Sequence, residues 1–123
     1  MSEPRLKSEI WVKAHIRICM VAGAYAVVVR KGDPDAGDIL LKLNDLAGGF
    51  EVLARATDAK GARVWLRVTG PAPVKEADAE AAIARRLSRD PDLWVIEIED
   101  RARRAFLGDP IADTSLPPGG ALR

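Results

Sequence analysis

His15 and Cys19 are the two residues of this sequence best suited to bind a transition metal, and they lie four positions apart. In a helix this spacing places both side chains on one face, within reach of the same ion. A zinc site needs three or four ligands, however, and the chain has no other histidine or cysteine. The sequence therefore predicts no metal site, and it leaves no Ser-His or Cys-His nucleophile except one built on His15.

The aspartates of GDPDAGD, residues 32–38, resemble the start of a calcium-binding loop. Such a loop closes with a glutamate at a fixed position, and here that position holds Asn44. Because Asp, Pro and Gly are also the residues that turns require, we interpret this segment as a hairpin loop.

Carboxylates and a Pro-Asp pair raise the question of a metal-dependent nuclease, whose core carries Pro-Asp followed by acidic-x-Lys. Pro34 and Asp35 match the first part, but no lysine follows Glu51 or Glu97 at the required spacing. The other available carboxylates are Glu9, Asp38 and Glu99. We predict no catalytic residues, and a nuclease-like enzyme is the enzymatic alternative.

The charges of the chain nearly cancel, since 19 Lys and Arg residues and 18 Asp and Glu residues give a net charge of +1. Two basic clusters lie beside acidic residues: Arg85, Arg86 and Arg89, and then Arg101, Arg103 and Arg104. No series of aromatic residues is interleaved with them for stacking on bases. Nucleic-acid binding is therefore an alternative that we do not expect, and without a glycine-rich phosphate loop we expect no cofactor.

The cysteine content and the apolar runs indicate the compartment. A single cysteine excludes an intramolecular disulfide, as is typical of a reducing environment. The uncharged run over residues 18–29 is too short to span a bilayer. Charged residues also occupy the N-terminal positions where a signal peptide has its apolar core. We expect a cytoplasmic protein without membrane contact.

A chain of 123 residues with 48% hydrophobic residues has the composition of one globular domain. Periodicity and turn residues predict a helix, four strands, a second helix and a fifth strand. Their predicted bounds are 3–22, 25–31, 38–44, 50–57, 63–69, 76–89 and 93–99. We predict a single α+β domain over residues 1–107, of order α-β-β-β-β-α-β, and a flexible tail over residues 108–123.

The connections favour a four-stranded antiparallel meander plus the fifth strand, with both helices on one face. Alternation then predicts that Glu51 lies opposite Arg67 and that Leu53 lies opposite Trp65. The other face would carry an apolar line between two charged rows, which we name the outer ridge: Val28, Leu40, Leu53 and Trp65. We expect the outer ridge to be covered by a partner, or by a helix or the C-terminal segment of the same chain.

The first helix has two apolar stripes, whereas a surface helix needs only one. The first stripe contains Leu6, Ile10, Ala14, Ile18 and Val21, and the second contains Val12, Ile16, Cys19 and Met20. We expect the second stripe and the outer ridge to form the interface of a two-fold homodimer. The predicted interface residues are Val28, Leu40, Leu53, Trp65, Val12, Ile16 and Met20.

Four strings carry a resemblance to a known family: PRLKSEIWVKAHIR (residues 4–17), VVVRKGDPDAG (27–37), RVWLRVTGP (63–71) and DPDLWVIEIEDR (90–101). They resemble the small alphaproteobacterial proteins of domain-of-unknown-function family 1491, over nearly all of residues 4–107. That family has no assigned activity, cofactor or catalytic residues, so the resemblance implies none for this chain.

These patterns together favour a non-enzymatic protein-interaction or binding module, which acts as a homodimer or with an unknown protein partner. Convergent carboxylates around a pocket would favour an enzyme instead. A flat apolar surface would favour the interaction module.

Overall fold

The structure, a computed structural model, describes residues 6–113. It contains α1 (Ser8–Val21), β1 (Tyr25–Arg30), β2 (Ile39–Asn44), β3 (Phe50–Thr57), β4 (Arg63–Arg67), α2 (Glu76–Arg89), β5 (Trp94–Glu99) and β6 (Ile111–Asp113). All seven predicted elements are present. The tail predicted from residue 108 is wrong where β6 forms, and residues 114–123 of that prediction lie outside the described part of the chain.

Strand β5 lies inside the sheet, between β1 and β2. The strand order is β1-β5-β2-β3-β4-β6, with β5 parallel to β2, β6 parallel to β4 and the other neighbours antiparallel. The predicted antiparallel meander is therefore wrong, and the fold is α+β with a mixed six-stranded sheet. The cause lies in β5, whose Trp94, Val95, Ile96 and Ile98 are all buried. A strand that is apolar on both faces is most stable in the interior of a sheet.

The segment 31–38, predicted as a hairpin loop, passes around the end of β5 instead. Gly32 and Gly37 both pack against the backbone carbonyl of Asp92, where a Cβ atom on either glycine would collide. The same carbonyl accepts a hydrogen bond from the backbone N–H of Asp33 at 3.0 Å. The close approach of two backbones therefore requires both glycines. This contact holds β1 and β2 on either side of β5.

The two helices cover opposite faces of the sheet, so the prediction that both pack on one face is wrong. The α1 face contains Val12 and Cys19 of α1 with Leu41, Leu53, Trp65 and Ile96. The α2 face contains Ala79 and Ile83 of α2 with Leu40, Val52, Ala54 and Val95. Because successive residues of a strand point to opposite faces, each central strand contributes to both clusters. Both faces of the sheet are therefore core.

The register also differs from the predicted one. Strands β2 and β3 pair with Leu41 opposite Leu53, one residue away from the pairing of Leu40 with Leu53 that the predicted outer ridge requires. Strands β3 and β4 pair two residues away, with Leu53 opposite Arg67 instead of Trp65, so the predicted opposition of Glu51 and Arg67 is wrong as well. Register is strongly specified by a pattern only where one face is buried and the other is solvated. Here both faces are buried, and alternation could not fix the register.

The segment 100–110 crosses the α1 face beside α1 and connects β5 to β6. Ala105 is buried, and its carbonyl accepts a hydrogen bond from Nε2 of His15 at 2.8 Å. Arg103 has a φ of 53°, a strained value for a residue with a side chain, and its guanidinium donates to Glu51 and Asp45. These contacts fix the segment, which covers the α1 face together with α1.

Candidate interaction surface

Exposed apolar side chains are concentrated on α1 and β1, which pack against each other. Ten large hydrophobic side chains among residues 6–113 are exposed, and all but Leu46 lie between residues 6 and 29. These nine form what we name the α1–β1 surface: Leu6, Ile10, Ile18, Met20, Val21, Tyr25, Val27, Val28 and Val29. Concentrated exposed apolar residues of this kind are typical of a surface that binds another macromolecule.

Helix α1 packs mainly its second apolar stripe on the sheet and exposes mainly its first, which is the reverse of the prediction. Val12 is 1% exposed and packs on the sheet, and Ile16 packs partly buried against the same cluster. The expectation that these two residues are available to a partner is wrong. Met20 is exposed as expected, and Val21 of the first stripe is 79% exposed. The residues that α1 offers to solvent are therefore mainly those of the first stripe.

The outer ridge predicted from the sequence is not a surface of the protein. Leu40, Leu53 and Trp65 are at most 2% exposed, and only Val28 reaches solvent. Leu40 lies in the cluster beneath α2, whereas Leu53 and Trp65 lie in the cluster beneath α1. The prediction is wrong because it placed both helices on the other face. Within the same chain, α2 covers Leu40, and α1 together with the segment 100–110 covers Leu53 and Trp65.

His15 and Cys19 are buried and contribute to packing. The His15 ring stacks on Trp11 with 4.6 Å between ring centroids, and its Nε2 bonds the Ala105 carbonyl. Burial lowers the pKa of His15, and the hydrogen bond to Ala105 acts in the opposite direction. Burial raises the pKa of Cys19 to about 11, which makes its thiol a poor nucleophile. No group of three or more potential metal ligands occurs within residues 6–113.

The candidate carboxylates are held apart by separate partners. Glu51 lies on the α1 side of the sheet, where Arg103 Nε is 3.0 Å from its carboxylate. Glu97 lies on the α2 side and accepts a hydrogen bond from the side chain of Asn44 at 3.0 Å. Asp38 pairs with Arg55 at 3.1 Å. Carboxylates on opposite faces of a sheet cannot share a metal ion, so the arrangement predicted for a nuclease is not formed by these residues.

The aspartates of residues 32–38 are used in turns and surface ion pairs. The Asp33 carboxylate accepts a hydrogen bond from the backbone N–H of Ala36 at 2.8 Å, as in an Asx-type turn. Asp35 lies 3.7 Å from Lys7 across the start of α1. These carboxylates face different partners, which is the arrangement of a structural loop and not of a calcium site.

The second basic cluster is compensated by neighbouring acids. Hydrogen bonds from Arg104 hold the pKa of Asp100 at about 2, and Arg103 pairs with Glu51 and Asp45. The backbone N–H groups of Gly49 and Ala47 also lower the pKa of Asp45. A nucleic-acid backbone would have to displace these acids, which favours the interpretation of the cluster as internal ion pairs.

Lys42 is a buried charge, and its burial was not predicted from the sequence. Its ammonium lies 2.8 Å from Glu76, 2.5 Å from Glu80 and 3.7 Å from Glu97. Burial acts to lower the pKa of Lys42, but the hydrogen bonds that its ammonium donates to Glu76 and Glu80 outweigh burial and raise that pKa. A charged lysine paired in this way cannot act as a nucleophile. Its role is to tie α2 to the sheet, and a lone lysine inside the apolar run ILLKL was the signal available in the sequence.

An open cavity of about 660 Å³ lies between the start of α1, the segment 35–38 that precedes β2, and the β3–β4 end of the sheet. Its charged lining residues are Lys7, Arg55 and Arg63 with Asp35, Asp38 and Asp109. Three cations and three carboxylates give this lining no net charge. The cavity therefore selects no class of ligand by charge.

The sequence of the chain matches the profile of a known protein family. The profile described as protein of unknown function DUF1491 matches residues 6–108. The chain belongs to the DUF1491 family. This confirms the resemblance carried by the four strings, and membership of DUF1491 indicates no specific function. No curated protein matches the chain. Over residues 6–113, no helix has the length and apolar character needed to cross a membrane.

Solved structures from Caulobacter crescentus CB15 and A. tumefaciens resemble this fold. A crystal structure of a DUF1491 family protein from Caulobacter crescentus CB15 is 39% identical, with a TM-score of 0.78, and the match covers 88% of this chain and 100% of that one. An NMR structure of a DUF1491 protein from the same organism has a TM-score of 0.74 at 39% identity, covering 89% and 99%. Protein Atu0922 from A. tumefaciens is 32% identical with a TM-score of 0.67, covering 78% and 86%.

Proposed function

We propose that this DUF1491 protein is a non-enzymatic protein-interaction module that acts through the α1–β1 surface and self-associates through it as a two-fold dimer. The observation that carries the proposal is the position of nine of the ten exposed large hydrophobic side chains of residues 6–113. A surface made from two consecutive elements can bind its own copy, since a two-fold contact closes without leaving a growing edge.

The remaining features support binding over catalysis. Glu51 and Glu97 lie on opposite faces of the sheet, and the Cys19 thiol and the His15 imidazole are buried. We propose the cytoplasm as the compartment, because the one cysteine of the chain is buried and unpaired, which fits a reducing environment.

Analytical ultracentrifugation of the full chain tests this proposal. At 100 μM, a dimer with a dissociation constant of about 10 μM is mostly associated. We expect the wild-type protein to sediment as a dimer and the double variant Ile18→Lys, Val21→Lys to sediment as a monomer with an unchanged circular dichroism spectrum. Lysine is chosen because a cation at the C-terminal end of a helix is favourable, so α1 is not weakened.

Leu46→Lys is the matched control, because Leu46 is 48% exposed but lies outside the α1–β1 surface. This variant is expected to remain dimeric. A monomeric wild-type protein at 100 μM, or equal dissociation of the control variant, would contradict the proposal.

A further inference from the structure

Strand β1 is an edge strand whose outer side has no strand partner among the described residues. On its inner side it pairs with β5 alone, whereas β6, at the opposite edge of the sheet, comprises three residues within the described part of the chain. The outward N–H and C=O groups of β1 are therefore a template for a further strand.

The side chains of β1 leave this edge open on both faces. Tyr25 and Val27 are exposed on the α2 face, and Val28 is 36% exposed on the α1 face. Natural edge strands are usually protected by lysine, proline or an inward charge. Residues 25–29 are YAVVV, which contains none of these. A pairing irregularity, which can also protect an edge, lies between Val28 and Arg30, at the end of this apolar segment, and leaves residues 25–28 regular.

We propose that a second copy of the chain adds its β1 to this edge in antiparallel orientation, with Val27 opposite Val27 of the second copy. The two six-stranded sheets then become one continuous sheet. This inference rests on the proposed self-association and specifies the contact that forms it.

The sequence of β1 selects this register. In an antiparallel pair with a two-fold axis perpendicular to the sheet, one residue lies opposite its own copy. Val27 is the centre of residues 25–29, so Tyr25 then lies opposite Val29 and Ala26 lies opposite Val28. Every residue of the apolar segment is paired with another apolar residue, which is the stabilising arrangement across two strands.

Charge at the two ends of β1 favours a second copy as the occupant. Arg30 follows the apolar segment, and Glu99 of β5 lies beside Tyr25 at its start. Neither residue has an ion-pair partner within 4 Å among residues 6–113, although Arg30 also donates to the Leu93 carbonyl at 2.7 Å. Antiparallel pairing brings Arg30 of each copy to the end of the other that carries Glu99. The charges therefore match twice, once at each end.

Disulfide cross-linking of single-cysteine variants tests the strand pairing. Cys19 is fully buried with a raised pKa, so it contributes little background reaction. Under mild oxidation, we expect Val27→Cys to form a covalent dimer at least tenfold faster than Tyr25→Cys or the exposed control Leu46→Cys. Two Tyr25 positions would be roughly 13 Å apart, and a disulfide cannot bridge Cα atoms more than about 7 Å apart.

A mixture of Tyr25→Cys and Val29→Cys chains provides a second measurement that keeps Val27 intact. These positions lie opposite each other in the proposed register, so a covalent heterodimer is expected. Sedimentation of each reduced variant accompanies the reaction. Dimers by sedimentation without cross-links at these positions would overturn the strand pairing and leave the proposed function standing. A monomeric wild-type protein would overturn both.

Discussion

Lys42→Met removes the charge that ties α2 to the sheet and retains a long apolar stem. The Lys42 side chain is 5% exposed and its ammonium is surrounded by Glu76, Glu80 and Glu97. In the variant, Glu76 and Glu80 can turn to water because they are 58% and 55% exposed, whereas Glu97 is 17% exposed and stays largely buried without its cation.

Removing one partner of a buried ion pair lowers the free energy of unfolding by about 3–5 kcal/mol, because the other charge stays buried without compensation. Because only one of the three carboxylates remains buried, we expect the free energy of unfolding to fall by about 3 kcal/mol, at the lower end of that range. For a chain of this size the melting temperature should drop by roughly 10 °C. The raised pKa of Lys42 has the matching sign: its stabilisation is present below the unfolded pKa and is lost only as pH rises through the higher folded pKa.

Urea unfolding followed by circular dichroism at pH 7 measures this change, and Lys60→Met is the control because Lys60 is exposed in the β3–β4 turn. Adding Glu97→Gln to Lys42→Met should recover about 1 kcal/mol of the free energy of unfolding, since it removes the buried carboxylate charge that has lost its cation. A loss below about 1 kcal/mol in the single variant, or an equal loss in the control, would refute the structural role assigned to Lys42.

Two further predictions concern the loop around β5 and the single histidine. Gly32→Ala should lower the free energy of unfolding by about 2 kcal/mol in urea titrations, because the new Cβ meets the Asp92 carbonyl, whereas Gly108→Ala, with open space at its Cβ, should be neutral. Since the pKa of His15 is lowered on folding, the stability it contributes is present above pH 6.5 and is lost as pH falls below it, by at most about 1.4 kcal/mol at pH 5.5. His15→Gln should abolish that part of the pH dependence, and an unchanged dependence between pH 7.5 and 5.5 would show that other groups cause it.

Seven of the eight elements were predictable from local patterns, but β6 and the position of β5 were not. Turn residues and periodicity identify all seven predicted elements because each signal lies within a few residues. Strand order depends on contacts between distant segments, and the usual pairing of consecutive strands favours a meander. The sequence did contain a contrary signal, since Trp94, Val95 and Ile96 form an apolar run that only an interior strand buries on both sides.

The exposed apolar residues of the α1–β1 surface were predictable in kind but not in their positions. Two apolar stripes on α1 correctly indicate that the helix exposes apolar side chains. Hydrophobicity cannot decide which stripe faces the sheet, because the exposed stripe with Ile10 and Val21 is as apolar as the buried one. The choice depends on tertiary contacts, in particular the stack of His15 on Trp11 and the bond from His15 to Ala105.

The position of β1 also determines when the N-terminal region can fold during synthesis. The strand partner of β1 is β5, at residues 94–99. The hydrogen bond of the His15 imidazole also requires the carbonyl of Ala105, which is synthesised later. Contacts of such long sequence separation form slowly because the loop between them must close first. A nascent chain therefore carries YAVVV as an unpaired apolar segment until residues 94–99 have been synthesised, and this segment is where chaperone binding or premature association of nascent chains is expected.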